Sequence, residues 1–462
     1  MKLCEQICVG LLLSAMPVPL WSQVDNSPIQ PVAAYGSGSG TDNSDNRMLT
    51  PPPVSGQSYP QVPTSQERSN YLQAGVTFTS AYSDNLVGST GSNSGTVSDE
   101  SYSVFPTLAL SEITTRLHFT LTYAPGFTFY QHTSSLNQAN QNASVDFQYR
   151  LSPHVTFSAR DGFQKSSSVF NQPSFGTTGS VSGGIQEPNQ SVIAPVASQL
   201  NNFGNVGITY QFAPNGMIGA SGTFTNMYYL DSAEVPGLYD SNSQGGSAFY
   251  AHRISKMHYI GATYQYQRLL SYPSHGTNET QTQSLLLLYT LYATPRFSIS
   301  FFGGPQYANI GPQFAEGILL PLPASQSWHP QAGASLSWQG RLSSVAVSYS
   351  HMISGGGGLI GAVQMDSASA SIRQQLARTL SGSLSGGYAQ NDVLASVAAA
   401  NNGHSLFGTA SVQQTFGQHL NVQLGYTRLH QSYSGVAILA TAPNTNREFI
   451  SIAYQFSRPL GR

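Results

Sequence analysis

The residues of this sequence that could do chemistry are a few charged side chains and eleven histidines. The histidines are scattered from His118 to His430, and no two share the i, i+4 spacing that places metal ligands on one helix face. His351 and His430 are the histidines that a hydrolase site at the rim of a strand would use, but such residues are more often solvated. The run Gly355–Gly358 lacks the lysine and the helix of a phosphate loop, so we interpret it as a flexible loop. We predict no catalytic residue, no metal, no cofactor and no enzyme activity.

Charged residues at the polar positions of alternating segments are better candidates for a functional role than the histidines, because they could select solutes. They are Arg116, Asp146, Arg150, Arg160, Arg253 and Arg373. Charges that face a water-filled pore tune what passes through it, whereas an arginine facing lipid at mid-depth costs roughly 2–4 kcal/mol. Five arginines against one aspartate favour small polar solutes with a modest preference for anions. The alternative is that these charges pair with one another and rigidify a closed interior.

The elements that must position these charges are segments of strict apolar and polar alternation. From Ala143 to Leu151 every second side chain is apolar, and the residues between them are polar. A period of two with one apolar face is typical of a half-buried β-strand, and it specifies the strand register strongly. The same alternation recurs in residues 116–123, 205–212 and 420–426, so we predict an all-β fold.

Very short polar turns join these strands in pairs. The turns start at residues 152, 213, 255, 294, 339, 377 and 417, and longer connections rich in Gly, Ser and Asn lie at the other end of each hairpin. This layout is typical of a transmembrane antiparallel up-and-down β-barrel whose short turns face the periplasm. The pattern predicts about 18 strands, and a count of 16 stays open because the leucines of residues 281–292 hide the alternation.

The composition also favours a surface that faces lipid. Only 8% of the 462 residues are charged, against roughly 25% in soluble domains. A soluble sandwich would carry lysine on its outer face, yet lysine occurs only at Lys2, Lys165 and Lys256. The net charge of -2 provides no basic surface for nucleic acid. Both cysteines, Cys4 and Cys8, lie in the first eight residues, so the rest of the chain tolerates an oxidising compartment.

Aromatic residues collect beside the short turns, where amphipathic rings suit a membrane interface. We predict a periplasmic girdle formed by Tyr149, Phe212, Tyr259, Tyr292, Phe297, Trp338 and Phe416. The alternative is that aromatic residues merely favour strands. This preference explains how many aromatic residues there are better than it explains why they lie beside the short turns.

The sequence divides into four parts. Residues 1–23 read as a cleaved signal peptide, with a positive start and a short apolar run. Residues 24–70 are rich in Pro, Ser and Gln, which predicts a disordered periplasmic arm. The predicted barrel covers residues 71–456, and residues 457–462 form a short tail. We therefore expect the protein in the outer membrane of a Gram-negative cell.

Alternation, short turns and long loops together resemble a bacterial outer-membrane β-barrel of the porin-like kind over residues 71–456, by architecture rather than by a motif. The resemblance implies the lipid bilayer and the outer-membrane assembly machinery as partners, and small polar solutes or saccharides as ligands. Barrels of this class usually end on an aromatic residue that the assembly machinery reads. Here the last strand reaches Phe456, and six residues follow it.

The resemblance also implies that a loop folds inward and narrows the lumen. Residues 164–198 follow the fifth predicted strand and form the longest connection, with Phe170, Phe175 and Ile185 among its apolar residues. We expect this loop to form the constriction, opposite Arg150 and Arg160. The alternative is an extracellular hairpin packed on its own apolar residues.

Three functions compete at this point. The leading hypothesis is a channel for small hydrophilic solutes. The second is an accessory barrel for exopolysaccharide export or assembly, in which the neutral lining would contact sugar chains. The third is a structural or adhesive surface protein that acts through its long loops.

Overall fold

The computed structural model describes residues 69–84, 98–166, 198–230, 237–274, 276–294, 296–314, 321–359, 361–394, 402–434 and 444–460. Within these ranges the chain forms eighteen β-strands and a short 3-10 helix at Ser134–Leu136. The strands are β1 (Ser69–Ser83), β2 (Asp99–Ile113), β3 (Leu117–Tyr130), β4 (Gln138–Arg150), β5 (Val155–Ser166), β6 (Gln199–Ala213), β7 (Gly216–Tyr229), β8 (Asp240–Arg253), β9 (His258–Tyr272), β10 (Asn278–Thr294), β11 (Phe297–Ile310), β12 (Ser325–Gln339), β13 (Ser343–Gly355), β14 (Ala362–Gln375), β15 (Leu380–Val393), β16 (Gly403–Phe416), β17 (Leu420–Tyr433) and β18 (Asn444–Pro459). No helix among these residues is long and apolar enough to cross a membrane.

The eighteen strands close into one ring. Every strand pairs antiparallel with its neighbours in the sequence, and β1 also pairs with β18. The predicted all-β up-and-down barrel is therefore confirmed, and the strand count is 18 rather than 16. Closure pairs every strand on both sides over the part beside the short turns, as a membrane-spanning sheet requires. Toward the long-loop end, the ladder between β12 and β13 stops at Ala332 and His351.

The ends of the barrel extend beyond the predicted bounds. β18 continues to Pro459, and Ser457, Arg458 and Pro459 pair with β1. Half of the predicted tail therefore belongs to the last strand, a correction that arises because polar residues can continue a backbone ladder without apolar alternation. The predicted signal peptide and nearly all of the predicted arm lie outside the described residues.

Alternate residues of each strand face opposite sides of the barrel wall. On β10, Leu287 is 69% exposed whereas the next residue, Leu288, is buried. The exposed side is the exterior, because the buried side of β9 and β11 packs against Ile353 of β13, a strand adjacent to neither of them. Such contacts form only across the interior. The four consecutive leucines thus alternate between the two faces.

The outer face of β17 has an apolar part and a polar part. Its outward residues are Leu420, Val422, Leu424 and Tyr426 from the short-turn end, and Arg428 follows them. The strands have 12 to 17 residues, more than the roughly 9 to 11 that cross a bilayer. The polar part at the long-loop end therefore extends past the apolar band.

Asp99, at the start of β2, holds the connection between β3 and β4. Its buried carboxylate accepts hydrogen bonds from the backbone N–H groups of His132 (3.1 Å) and Thr133 (2.8 Å). It also contacts Nδ1 of His132 at 2.9 Å and accepts a bond from the hydroxyl of Thr133. Hydrogen bonds to a charged group each contribute roughly 1.5–3 kcal/mol.

We expect Asp99→Ala to loosen this connection, because the two backbone donors would lose their acceptor. Amide exchange at His132 and Thr133 should accelerate about 10- to 100-fold, measured by hydrogen–deuterium exchange of the folded protein in detergent. Asp161→Ala is a matched control, since Asp161 lies on the outer face and accepts one bond from Asn202 (3.2 Å). Equal exchange at the connection in both variants would contradict the anchoring role.

Candidate pore lining and constriction

The inner wall of the barrel is mainly neutral and polar. Nine pairs of Ser and Thr hydroxyls, each directly opposite on neighbouring strands, hydrogen-bond on the inner face of the described residues. The pairs are Thr79–Ser451, Ser103–Thr128, Thr122–Ser144, Ser221–Ser247, Thr290–Ser300, Ser348–Ser369, Ser350–Ser367, Ser383–Ser411 and Thr409–Thr427, at 2.7 to 3.1 Å. Cross-strand pairs of this kind stabilise a sheet, and the second lone pair of each hydroxyl can still interact with water or solute.

Five of the six predicted lumen charges lie on the inner face, and the wall brings two of them together. Asp146 on β4 is directly opposite Arg160 on β5. Arg150 lies four residues closer to the short-turn end and donates to the carbonyl of Pro153 at 3.2 Å. Arg373 lies on the inner face of β14, away from this group.

The remaining two predicted lumen charges are tied to turns or lie within them. Arg253 donates from Nε and Nη2 to Oδ1 of Asn215, at 3.1 and 2.8 Å, and is 7% exposed. It therefore fixes the turn between β6 and β7 rather than lining an open path. Arg116 lies in the turn before β3, not within a strand as predicted. Arg447, which was not among the predicted lumen charges, is buried on the inner face of β18 beside the ring of Phe449.

Five of the seven residues predicted to form the aromatic girdle lie on the outer face, and the prediction is wrong for the other two. On the outer face, beside the short turns, lie Tyr149, Phe212, Phe297, Trp338 and Phe416. Tyr259 and Tyr292 instead face the interior, where their rings meet edge to face at 5.4 Å and pack with Met217. Alternation along the strand, and not proximity to a turn, decides whether a side chain faces inward or outward. Tyr259 faces inward because its neighbour Ile260 faces outward.

The histidines considered for catalysis lie on the outer face near the long-loop end. His351 contacts the carboxylate of Asp366 through Nδ1 at 2.8 Å, and His430 contacts Oδ1 of Asn444 at 2.9 Å. The described residues contain no group of three or more His, Cys, Asp or Glu side chains placed to hold a metal ion.

A constriction does form in the barrel, from the hairpin between β13 and β14. We call residues 353–359 and 361–363 the lumen tip. Ile353, Leu359 and Val363 of the tip are each at most 1% exposed. Leu359 and Val363 pack with Met227 and Tyr229 of β7, on a distant part of the wall, in a cluster that also includes Leu238, Met365 and Tyr433. The tip therefore crosses the interior at the long-loop end.

Hydrogen bonds to the opposite wall hold the lumen tip in place. The hydroxyl of Tyr229 donates to the carbonyl of Gly357 at 3.1 Å, and the backbone N–H of Tyr239 donates to the carbonyl of Gly358 at 2.7 Å. The backbone N–H of Gly361 donates to Oγ of Ser271 at 3.0 Å. The interpretation of Gly355–Gly358 as a flexible loop was therefore wrong.

Glycine is required where the tip meets the wall. Gly358 has a φ of 102°, in the left-handed region, and a Cβ at this position would lie 2.2 Å from the hydroxyl of Tyr229. A side chain there would push the tip away from β7. The sequence signal was present as the four-glycine run, but its partner Tyr229 lies more than a hundred residues earlier.

The loop predicted to constrict the lumen cannot be compared with the tip. Phe170, Phe175 and Ile185 fall within residues 167–197, which lie outside the described residues. Its two stems are present, because β5 ends at Ser166 and β6 begins at Gln199. An inward fold of this loop stays a prediction.

Phenylalanines on the inner face follow one rule. Six of them face the interior in the described strands, and each lies directly opposite a glycine. The pairs are Phe105–Gly126, Phe203–Gly162, Phe249–Gly219, Phe302–Gly333, Phe407–Gly387 and Phe449–Gly425. A Cβ at Gly126, Gly219, Gly333 or Gly425 would come within 2.2 to 2.4 Å of the paired ring. These four rings therefore lie flat over the glycine, against the wall and out of the lumen.

We expect Gly425→Val to destabilise the barrel by about 1–3 kcal/mol, because the new side chain overpacks against the ring of Phe449. The double variant Gly425→Val/Phe449→Ala should recover most of the loss. Gly408→Val is the control, since a Cβ there meets nothing within 4 Å. Denaturant unfolding of the refolded protein measures all three variants, and equal losses at both glycines would show that the pairing is incidental.

The chain matches no protein-family model and no curated protein. Solved structures with a similar outline include OccAB1 of Acinetobacter baumannii (TM-score 0.41, 11% identity, 84% of this chain and 96% of that chain). OpdK of Pseudomonas aeruginosa has a TM-score of 0.41 at 10% identity over 84% and 99% of the two chains. OccK2 of Pseudomonas aeruginosa, solved in complex with glucuronate, has a TM-score of 0.42 at 9% identity over 84% and 98%.

These scores are low, and the assignment of the fold depends on the strand pairing of the chain itself. A closed ring of eighteen antiparallel strands has an apolar outer band, a polar inner wall, short turns at one end and long loops at the other. By architecture the chain is a closed eighteen-stranded antiparallel β-barrel with the layout of a transmembrane barrel.

Proposed function

We propose that the protein is an outer-membrane channel for small hydrophilic solutes, narrowed by the lumen tip. The observation that carries this proposal is the neutral hydrogen-bonding wall of a closed barrel whose outer band is apolar. A solute that leaves water for this interior meets hydroxyl and amide groups in every direction, so it loses little hydrogen bonding.

The distribution of charge supports weak selectivity between ions. Asp146 and Arg160 face each other across neighbouring strands, so their fields partly cancel at the wall. Arg253 donates to Asn215, so its charge stabilises the turn between β6 and β7. Arg150 and Arg373 lie on the inner face as well and give the interior a modest positive excess.

The lumen tip sets the size limit in this proposal. It places apolar side chains across the long-loop end, between the wall formed by β7 to β11 and the wall formed by β14 to β17. Small solutes would pass beside the tip, whereas long polymers would meet a chain segment that is bonded to both sides. This geometry favours a channel for small molecules over a conduit for polysaccharide chains.

Single-channel recording tests the proposal directly. The refolded full-length chain should insert into planar bilayers and show discrete conductance steps with a small reversal potential in a salt gradient. Heat-modifiable migration in detergent gels verifies that the barrel is closed. A correctly folded barrel that never conducts would contradict a channel, and a role of the long loops at the cell surface would then explain the fold better.

A further inference from the structure

A patch of four glutamines lies beneath the lumen tip, on the inner face about half-way along the strands. We call Gln265 and Gln267 of β9, Gln306 of β11 and Gln331 of β12 the glutamine patch. They line one cavity together with Thr223, Gly245, Tyr266, Thr282, Ser284, Met352 and Ile353. None of these described lining residues is charged. Gln331 is 2% exposed, so its amide lies deep in the wall.

Part of the patch is already hydrogen-bonded within the protein. Gln306 accepts a bond through Oε1 from the backbone N–H of Ile353 at 3.1 Å. Gln267 donates through Nε2 to Oγ of Ser243 at 2.8 Å, and Gln265 accepts from Oγ of Ser284 at 3.4 Å. These bonds fix the orientation of three of the four amides.

Two polar atoms of the patch have no hydrogen-bond partner among the described residues. They are the donor Nε2 of Gln265 and the acceptor Oε1 of Gln331, and both are buried. A buried polar atom without a partner carries a desolvation cost, so native sites with such atoms usually hold a water or a ligand group. The two atoms line the same cavity.

A neutral polyol can satisfy both atoms with two of its hydroxyl groups. One hydroxyl accepts a hydrogen bond from Nε2 of Gln265, and another donates to Oε1 of Gln331, which lies three strands away along the wall. A carboxylate has no donor and an ammonium has no acceptor. The cavity has a volume of about 20 Å³, enough for one water or one hydroxyl group. Gln265 and Gln267 are only half-buried, so a larger molecule can extend from this point into the lumen.

We propose that the glutamine patch is a binding site for a neutral polyhydroxylated solute, a sugar or a polyol. One hydroxyl of the solute accepts from Gln265, a second donates to Gln331, and the others contact Gln267 and the hydroxyls of Thr223 and Thr282. This inference rests on the proposed function, because the site requires an interior that solutes enter. It adds the class of solute that the channel binds during passage.

The test compares three solutes of nearly equal size on the refolded full-length protein in planar bilayers: glucose, gluconate and glucosamine. Glucose should reduce the ion current in a saturable manner, and the two charged analogues should bind at least about tenfold more weakly, as expected for a lost hydrogen bond in a neutral site. Gln331→Leu and Gln265→Leu should each weaken the glucose effect about tenfold. Gln283→Leu, on the outer face of β10, should leave it unchanged.

Calorimetric titration of the folded protein in detergent separates failure of this site from failure of the channel. A barrel that binds glucose without conducting supports the site and contradicts the proposed function. A conducting barrel that shows no saturable glucose effect, or equal glucose affinity in the wild type and Gln331→Leu, overturns the site. A buried water would then satisfy Gln265 and Gln331.

Discussion

Removing the lumen tip is expected to raise the single-channel conductance several-fold. Gly355 and Ala362 are the last residue pair of β13 and β14, so an Asn-Gly turn in place of residues 356–361 joins the strands directly. The change removes Leu359 and the backbone carbonyls that Tyr229 and Tyr239 bind. Ile353 and Val363 stay in place, but the chain that reaches Tyr229 and Tyr239 is gone, so ions would meet a much smaller obstacle at the long-loop end.

A point variant separates occlusion by the tip from disturbance of the barrel. Tyr229→Phe keeps the length of the hairpin and removes one hydrogen bond, to Gly357. We expect frequent brief openings to a higher conductance level, because the tip is held less firmly. If the shortened variant assembles with heat-modifiable migration and keeps the wild-type conductance, the ion path does not pass the tip. The predicted constriction at residues 164–198 would then be the segment to delete.

The strand count could be read from the sequence because alternation and turn spacing are local. Register follows from which face is apolar, as on β17, where four alternate residues from Leu420 to Tyr426 face outward and are apolar. Strand length could not be read in the same way. β8 begins at Asp240, but Asn242 and Gln244 face outward near its start, so no apolar alternation marks this part of the strand. Backbone pairing continues beyond the residues whose apolar outward side chains indicate contact with lipid.

The sequence predicts a lining residue only where the alternation along its own strand determines which way it faces. Asp146 and Arg160 follow the polar face of their own strands, and that face is the interior. The lumen tip depends on contacts between residues far apart in the sequence, such as Leu359 with Tyr229, and a glycine run in isolation does not reveal them. The pairs of phenylalanine and glycine need the register of both strands. Tyr259 is different, because parity alone could have placed it inside.

The sharpest test of which side of the barrel wall faces lipid is the free-energy cost of an arginine on the outer face. Leu424 lies on the outer face of β17 in the middle of its apolar band, and it is 57% exposed. Leu424→Arg would bring a charge into contact with the hydrocarbon core, at a cost of roughly 2–4 kcal/mol near the midplane. We expect most of the refolded protein to lose heat-modifiable migration, and the remaining folded fraction to unfold at lower denaturant concentration.

The neighbouring residue is a matched control, because one step along a strand reverses the face. Gln423 is directly opposite Gln413 and Ser451 on the inner face, so Gln423→Arg adds a charge to a neutral wall that water reaches. This variant should fold with nearly wild-type stability and shift the reversal potential toward anions. Similar folding losses in both variants would place lipid, or a dry core, on both sides of β17. Since a dry interior cannot conduct ions, that outcome would contradict the channel together with the face assignment.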